Sequence, residues 1–304
     1  MADPTLSMLL FNYGDRIATH GPGAMIAAAE TAEAAGVDRL VVVDHVVMGP
    51  DTDAYSWGSF PTEPDSPWLE PLTTLAVLAG RTRRIRLATG VVVAALRGAA
   101  VLAKTAATLD LLSAGRFDLG VGTGWQAKEY EAAGLDFARR GPLLDDTLAA
   151  VRALWDGAPA AVDLPSLRFA DVWCSPRSPG VPIWVSGSLT GPVLRRLVRW
   201  GDGWIPIMGI TPERLRTDIT RLHSAFREAG RDLSGLQVQG RLPVVRGKNG
   251  AADLDATLAR VPDLLAAGVT DVSFTLPALS RNPEEALTRL PALVKGFREV
   301  VAQR

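Results

Sequence analysis

The stretch Arg84–Trp125, RIRLATGVVVAALRGAAVLAKTAATLDLLSAGRFDLGVGTGW, decides the fold. Two apolar runs, Ile85–Val93 and Phe117–Val121, flank a helix-compatible segment, Ala99–Leu112. Strand, crossover helix and strand make the unit of a parallel sheet. Parallel strands are covered on both faces, which is why these runs, and LVVVD at 40–44, are almost continuously apolar. The second run leads into Gly122-Thr123-Gly124-Trp125, where small residues let a ligand come close to the backbone.

Working outward, the same unit recurs. Leu6–Phe11 reads as a strand, Asn12–Gly23 as a polar, glycine-rich loop, Ala24–Ala35 as a helix stopped by Gly36, and Asp38–Val43 as a second strand running into Asp44-His45. Val46–Pro67 is a long connection rich in Pro, Gly, Ser and Asp, a length that in a compact domain goes with a binding or lid role. Leu69–Gly80 is the next helix. Beyond the central stretch, residues 126–141 predict a short helix and turn, and Leu143–Trp155 a longer helix. Gly157–Gly180 reads as an irregular insertion. Strands follow at Pro182–Ser186, Asp202–Pro206, Gly235–Val245 and Val269–Leu276, and helices at Pro192–Trp200, Thr211–Ala229, Leu254–Ala267 and Pro283–Val301. Eight strands with intervening helices close most naturally into a single-domain (β/α)8 TIM barrel over 1–304, an α/β fold with long connections after strands 2 and 4. A doubly wound open sheet is the alternative, but no GxGxxG follows the first strand, and GVGTG at 120–124 lacks the dinucleotide spacing.

Composition narrows the function. The 32 basic and 33 acidic residues nearly cancel, which gives no footing for general nucleic-acid affinity. No apolar run is long enough to span a bilayer, and the first residues lack the basic and apolar blocks of an export signal, so a cytoplasmic, non-membrane protein is expected. The single cysteine, Cys174, excludes an intrachain disulfide. His20, His45 and His223 are too far apart in sequence for a standard metal motif, so no metal site is expected.

Barrel enzymes place their chemistry where strands end. That rule selects Asn12 and Tyr13, Asp44 and His45, Thr89 and Gly90, Val121–Trp125, Ser186–Gly191 and Ile205–Met208. His45 is suited to hydrogen-bonding a flat heterocycle or exchanging a proton near neutral pH, with Asp44 orienting it or contacting the ring edge. The opposing reading is a structural pair that closes the strand. Ser186-Gly187-Ser188 precedes a helix and offers hydroxyl and backbone donors for a phosphate, with Gly122-Thr123-Gly124 as the facing wall. Tyr13, Trp57 and Trp125 are candidates for the substrate side, although aromatic residues there serve equally well as packing. Arg97 has two open uses, an anionic ligand tail or an ion pair.

Taken together, DRLVVVDHV at 38–46, RIRLATGVVV at 84–93, LAKTAATLDLLSAGRFDLGVGTGWQAKEYEAAG at 102–134, PIWVSG at 182–187 and WGDGWIP at 200–206 resemble the bacterial luciferase-like superfamily of flavin- and deazaflavin-dependent oxidoreductases. The resemblance implies a barrel, commonly dimeric, with a flavin-type ring across its C-terminal mouth. The pattern is closer to the branch that uses coenzyme F420, with FMN the alternative. With the strand-end positions Asn12 and Ser186, it implies cofactor contacts from Asp44, Thr89, Gly90, Gly122, Thr123, Gly124, Gly187 and Ser188, and the expected catalytic pair is His45 with Asp44. Arg97-Gly98-Ala99 and Gly141-Pro142 depart from the family's habit at those two places. The expected activity is hydride transfer between F420 and a small organic substrate. An FMN-dependent monooxygenase and a non-catalytic barrel subunit are the other two readings.

Overall fold

The computed structural model describes residues 3–157, 159–247 and 250–303. In chain order its elements are β1 (Thr5–Leu9), α1 (Asp15–Ala35), β2 (Arg39–Val42), α2 (Pro71–Arg81), β3 (Arg86–Thr89), β4 (Val92–Val93), α3 (Ala99–Ser113), β5 (Phe117–Gly122), α4 (Ala127–Ala132) and α5 (Arg140–Asp156). There follow β6 (Ala160–Asp163), β7 (Arg168–Val172), β8 (Ile183–Ser186), α6 (Gly191–Trp200), β9 (Gly203–Ile205), α7 (Pro212–Glu228), β10 (Gln237–Arg241), α8 (Leu254–Leu258), α9 (Val261–Ala266), β11 (Asp271–Thr275), α10 (Leu276–Leu279), α11 (Pro283–Thr288) and α12 (Leu290–Ala302).

The sheet closes on itself. β1 pairs with β2 and β11, the order runs on through β10, β9, β8 and β5, and β5 returns to β3, every pairing parallel. Eight parallel strands ringed by helices therefore form the expected TIM barrel, with its long connections after the second and fourth barrel strands. Closure removes the exposed edges an open sheet would leave.

Short β4 continues β3 beyond Gly90-Val91. β5 pairs first with β3 (Ala88 with Asp118) and then with β4 (Val92 with Val121), so one extra residue is accommodated there. Thr89 bridges the irregularity: its hydroxyl donates to the Gly120 carbonyl at 2.8 Å and accepts the Gly120 N–H at 2.9 Å. A Cβ at Gly120 would sit 1.9 Å from the Thr89 carbonyl oxygen, so only glycine lets the strands meet.

The lower end of the barrel interior is polar. Arg39, at the start of β2 and almost fully buried, reaches Asp118 on β5 at 2.8 Å and Asp271 on β11 at 2.5 Å, and lies over the Trp184 ring at 4.6 Å. Asp118 also takes two bonds from Arg86, and Asp271 takes bonds from Thr5, Ser7 and Gln239. Burial alone would lower the Arg39 pKa, but Asp271 and Asp118 outweigh it and hold it above the usual arginine value.

Four local expectations need correcting. The polar stretch after Asn12 is helical from Asp15, with a kink at Gly21, where φ is +67° and Pro22 follows. The insertion after α5 contains an antiparallel hairpin, β6–β7. The helix expected over 254–267 divides into α8 and α9, and the one over 283–301 into α11 and α12; Pro262 and Pro291 sit in the first turns of the second pieces, where proline's missing N–H costs nothing. Among the described residues no helix is long and apolar enough to cross a membrane.

Candidate active site at the barrel mouth

The carboxyl ends of the strands carry two buried clamps. Asn12, fully buried after β1, donates its amide to the carbonyls of Val43 (2.8 Å) and Leu69 (2.7 Å) and accepts the Val43 N–H (3.2 Å). It fastens the end of β2 to the start of α2, and its side chain is consumed in doing so. Asp44 behaves similarly. Its oxygens receive Arg97 at 2.6 and 2.8 Å and the Val93 N–H at 2.9 Å. Arg97 also binds Glu70 at 2.8 Å, which settles its use as an ion pair. Burial opposes the charge on Arg97, yet Asp44 and Glu70 raise its pKa. Burial likewise opposes ionisation of Glu70, but the Thr73 N–H and Arg97 prevail and lower it. Asp44 therefore locks the loop after β4 instead of orienting its neighbour His45.

The partner of His45 comes from elsewhere. Its Nδ1 lies 3.3 Å from Oε2 of Glu129, on α4, whose Oε1 accepts the Val46 N–H at 2.7 Å. Glu129 was invisible as a site residue in the sequence, where it belonged simply to a short helix. Its one signal was a carboxylate five residues beyond Gly124, placed by a short helix back under the mouth.

Around His45 stands an aromatic wall. Its ring meets Trp68 at 4.7 Å, Phe60 at 5.5 Å and Trp125 at 5.6 Å, edge-on each time. Tyr13 stacks on Trp68 at 4.1 Å, and backbone bonds Leu69→Asn12 and Gly14→Pro67 zip the end of the long loop onto the chain after β1. The same loop is held by Gln126, whose amide donates to the Asp51 carbonyl at 3.1 Å. Its tip crosses the mouth: the Tyr55 hydroxyl is 3.9 Å from Met208 Sδ, and Arg241 Nη1 is 3.5 Å from the same sulfur. Trp57 stands at the rim, 39% exposed, touching Tyr55 at 5.2 Å. Trp68, which the strand-end rule passes over, lines the wall more deeply than Trp57. Burial first, then the nearby Tyr55 phenol, pushes the Tyr13 pKa well up against the opposing pull of Arg241 and Arg16, so its hydroxyl remains a donor.

The other side is backbone. Gly90, Gly122 and Gly124 pack so closely that added Cβ atoms would fall 2.3 Å from Val41 Cγ1, 2.7 Å from Val91 Cγ2 and 3.0 Å from Val93 Cγ2. The Thr89 hydroxyl is spent on Gly120, and the Thr123 carbonyl accepts the Tyr130 hydroxyl at 2.6 Å; burial pushes the pKa of that phenol up to about 12. At the end of β8, Gly187 has φ +138°, donates its N–H to the Ile205 carbonyl and accepts Trp204 Nε1 at 2.9 Å. Ser186 is half-buried and Ser188 exposed, and neither hydroxyl has a partner among the described residues.

The carboxyl ends of the strands thus carry a packed aromatic cluster around one imidazole, close-packed glycines, and the Ser186 and Ser188 hydroxyls without a partner among the described residues. Those features fit a flat heterocycle with a phosphate-bearing tail. Two cavities of about 380 and 310 Å³ lie instead at the opposite end, around Arg152 and Asp202, where ion pairs and carbonyl bonds already occupy the charged groups.

Comparisons with known proteins bear on the family and the fold. Residues 6–291 match the family model described as luciferase-like monooxygenase. An uncharacterized protein of Mycobacterium tuberculosis (strain ATCC 25618 / H37Rv) is 32% identical over 268 residues, covering 86% of this chain and 89% of that protein. Among solved structures, the monooxygenase RslO1 from Streptomyces bottropensis superposes with a TM-score of 0.80 at 20% identity, covering 97% of this chain and 99% of that one. An F420-dependent secondary alcohol dehydrogenase, bound to an F420–acetone adduct, gives 0.79 at 16% identity, covering 98% and 100%. At these identities the two structures speak for the fold.

Proposed function

The chain belongs to the luciferase-like monooxygenase family, and from that premise we propose that it is an oxidoreductase moving hydride between coenzyme F420 and a small organic substrate. The observation that carries the reading is His45 set among Phe60, Trp68 and Trp125, with its Nε2 making no hydrogen bond to the described residues. Bound there, the deazaflavin ring would supply the hydride chemistry. The chain's own groups do the rest. Tyr13, Trp68 and Trp125 exclude water and shape the substrate side, with Trp57 at the rim. Backbone at Thr89-Gly90 and Gly122–Gly124 forms the facing wall, its glycines packed against Val41, Val91 and Val93. Ser186 and Ser188 hold the phosphate through their hydroxyls, and Gly187, whose N–H is given to the Ile205 carbonyl, sets the turn between them. Asn12 and Asp44 support the ring pocket through the loops they clamp. His45 gives or takes the proton that accompanies hydride transfer.

Gly187→Val tests the phosphate assignment. The residue occupies a backbone region that favours glycine, and a Cβ would lie 3.2 Å from Val193 Cγ2. Affinity for the cofactor should fall about tenfold or more, some 1.4 kcal/mol, in a fluorescence titration. Unchanged affinity would move the phosphate elsewhere.

A homodimer is part of this reading, supported by an apolar face with no cover. On α3, Val101, Leu111 and Leu112 are 62%, 66% and 64% exposed, and Val77 on adjacent α2 is also exposed. Lys104 on the same helix bonds the Ser175 carbonyl, so exposed Trp173 belongs to the same region. A second copy seated on this face would bury it. Sedimentation velocity should give a dimer that Leu111→Glu with Leu112→Glu converts to monomer; a monomeric wild type would contradict it. A cytoplasmic location belongs to the same proposal.

The second reading is an FMN-dependent monooxygenase, supported by the description of the matching family as luciferase-like monooxygenase. Retention of FMN and oxygen consumption driven by reduced flavin would select it. A folded barrel that binds neither cofactor would select the non-catalytic subunit.

A further inference from the structure

We infer that Glu129 is the positioning residue for His45, holding the neutral imidazole in the Nδ1–H tautomer so that Nε2 faces the pocket as a proton acceptor. Among the described residues, the buried side-chain nitrogen and oxygen atoms left without a hydrogen-bond partner are two, His45 Nδ1 and Glu129 Oε2, and they are each other's neighbours at 3.3 Å. Buried polar atoms are nearly always paired, and an unpaired one marks a functional arrangement or a bond that forms in another state. The His45 side chain is 9% exposed and the Glu129 side chain is fully buried, so water does not compete strongly for the contact.

Neither partner is free to settle elsewhere. Glu129 is anchored through Oε1 on the Val46 N–H, within the same loop that carries His45. Asp44, the nearest carboxylate in sequence, is saturated by Arg97 and Val93; Glu70 is on Arg97 as well. Tyr130, next in the chain to Glu129, keeps its hydroxyl on the Thr123 carbonyl and is raised by burial; beyond the aromatic rings, the Tyr13 and Tyr55 phenols are raised by burial too, against the pull of Arg241. Which ring nitrogen carries the proton is set by the hydrogen bond the other makes. A carboxylate accepts and cannot donate, so it selects Nδ1–H and leaves the Nε2 lone pair for substrate.

The consequence rests on the reading of His45 as the proton-exchanging group. A substrate hydroxyl donates to Nε2. As its carbon gives a hydride, with the C–H electron pair, to an oxidised deazaflavin ring, the O–H proton passes to Nε2 and the C=O bond forms. The substrate is oxidised and the ring reduced, and the resulting imidazolium is balanced by Glu129.

Selective 15N labelling of histidine tests the tautomer without cofactor or substrate. The chain has three histidines, and exposed His20 and half-buried His223 serve as internal controls of folding. In its neutral form, His45 should show a pyrrole-type Nδ1 and a pyridine-type Nε2. Glu129→Gln, whose amide donates to Nδ1, should invert the pattern, and Glu129→Asp should retain it. A pyridine-type Nδ1 in the wild type, or an unchanged pattern in Glu129→Gln, would overturn the assignment. With F420 and a secondary alcohol, Glu129→Gln should lower kcat by about a hundredfold while cofactor affinity moves less than about threefold. Equal losses in kcat and affinity would also overturn it. A failure to bind F420 at all would defeat the functional reading while the labelling result still decides the tautomer.

Discussion

Arg39→Met is expected to destabilise the protein by about 3–5 kcal/mol, the range found when one partner of a buried ion pair is removed. Methionine fills much of the space over Trp184 but removes the cation. Asp271, fully buried, then keeps only the neutral donors Thr5, Ser7 and Gln239. Asp118 is better protected because Arg86 retains its two bonds. The loss should therefore be dominated by Asp271, and adding Asp271→Asn to Arg39→Met should recover part of it. Urea unfolding followed by tryptophan fluorescence measures both. A loss below about 1 kcal/mol would show that the lower barrel layer does not depend on this charge.

His45→Phe is expected to have the largest effect on activity. Phenylalanine keeps the edge contacts to Trp68, Phe60 and Trp125 but carries no nitrogen. Losing a positioned acid–base group typically costs about 10²–10⁴-fold in turnover, and the expectation here is a fall of that size in kcat with cofactor affinity little altered. His45→Ala should do at least as much damage and will also weaken the aromatic wall, so the comparison between the two separates proton transfer from packing. A variant that loses affinity and keeps turnover would assign His45 to cofactor binding alone.

The barrel was legible because its cause is local. Parallel strands buried on both faces must be apolar, and Gly36 and Gly268 stop the preceding helices in left-handed conformations. What escaped depends on contacts distant in sequence or on weak local signals. β6 and β7 are short and mostly exposed, so they carry no hydrophobic alternation. Pro262 and Pro291 were readable as interruptions but sit inside otherwise good helical patterns. The strand-end rule selected His45, Tyr13 and Trp125, and the fold gathers them around Trp68 in one aromatic cluster. It assigned Asn12 and Asp44 by position alone, whereas their side chains are bound within the protein by Leu69, Val93 and Arg97. Glu129 and Trp68 enter through loop packing that no sequence period encodes. The buried charges were present as anomalies, Arg39, Asp118 and Asp271 standing within or against apolar runs, and their meaning emerged only when the ring of strands closed around them.

Titration of the purified protein with oxidised coenzyme F420 and, in parallel, with FMN tests the central claim most directly. Saturable binding of F420, weakened by Gly187→Val and accompanied by quenching of the tryptophans that line the mouth, is the predicted result. A folded protein whose fluorescence responds to neither cofactor would contradict it.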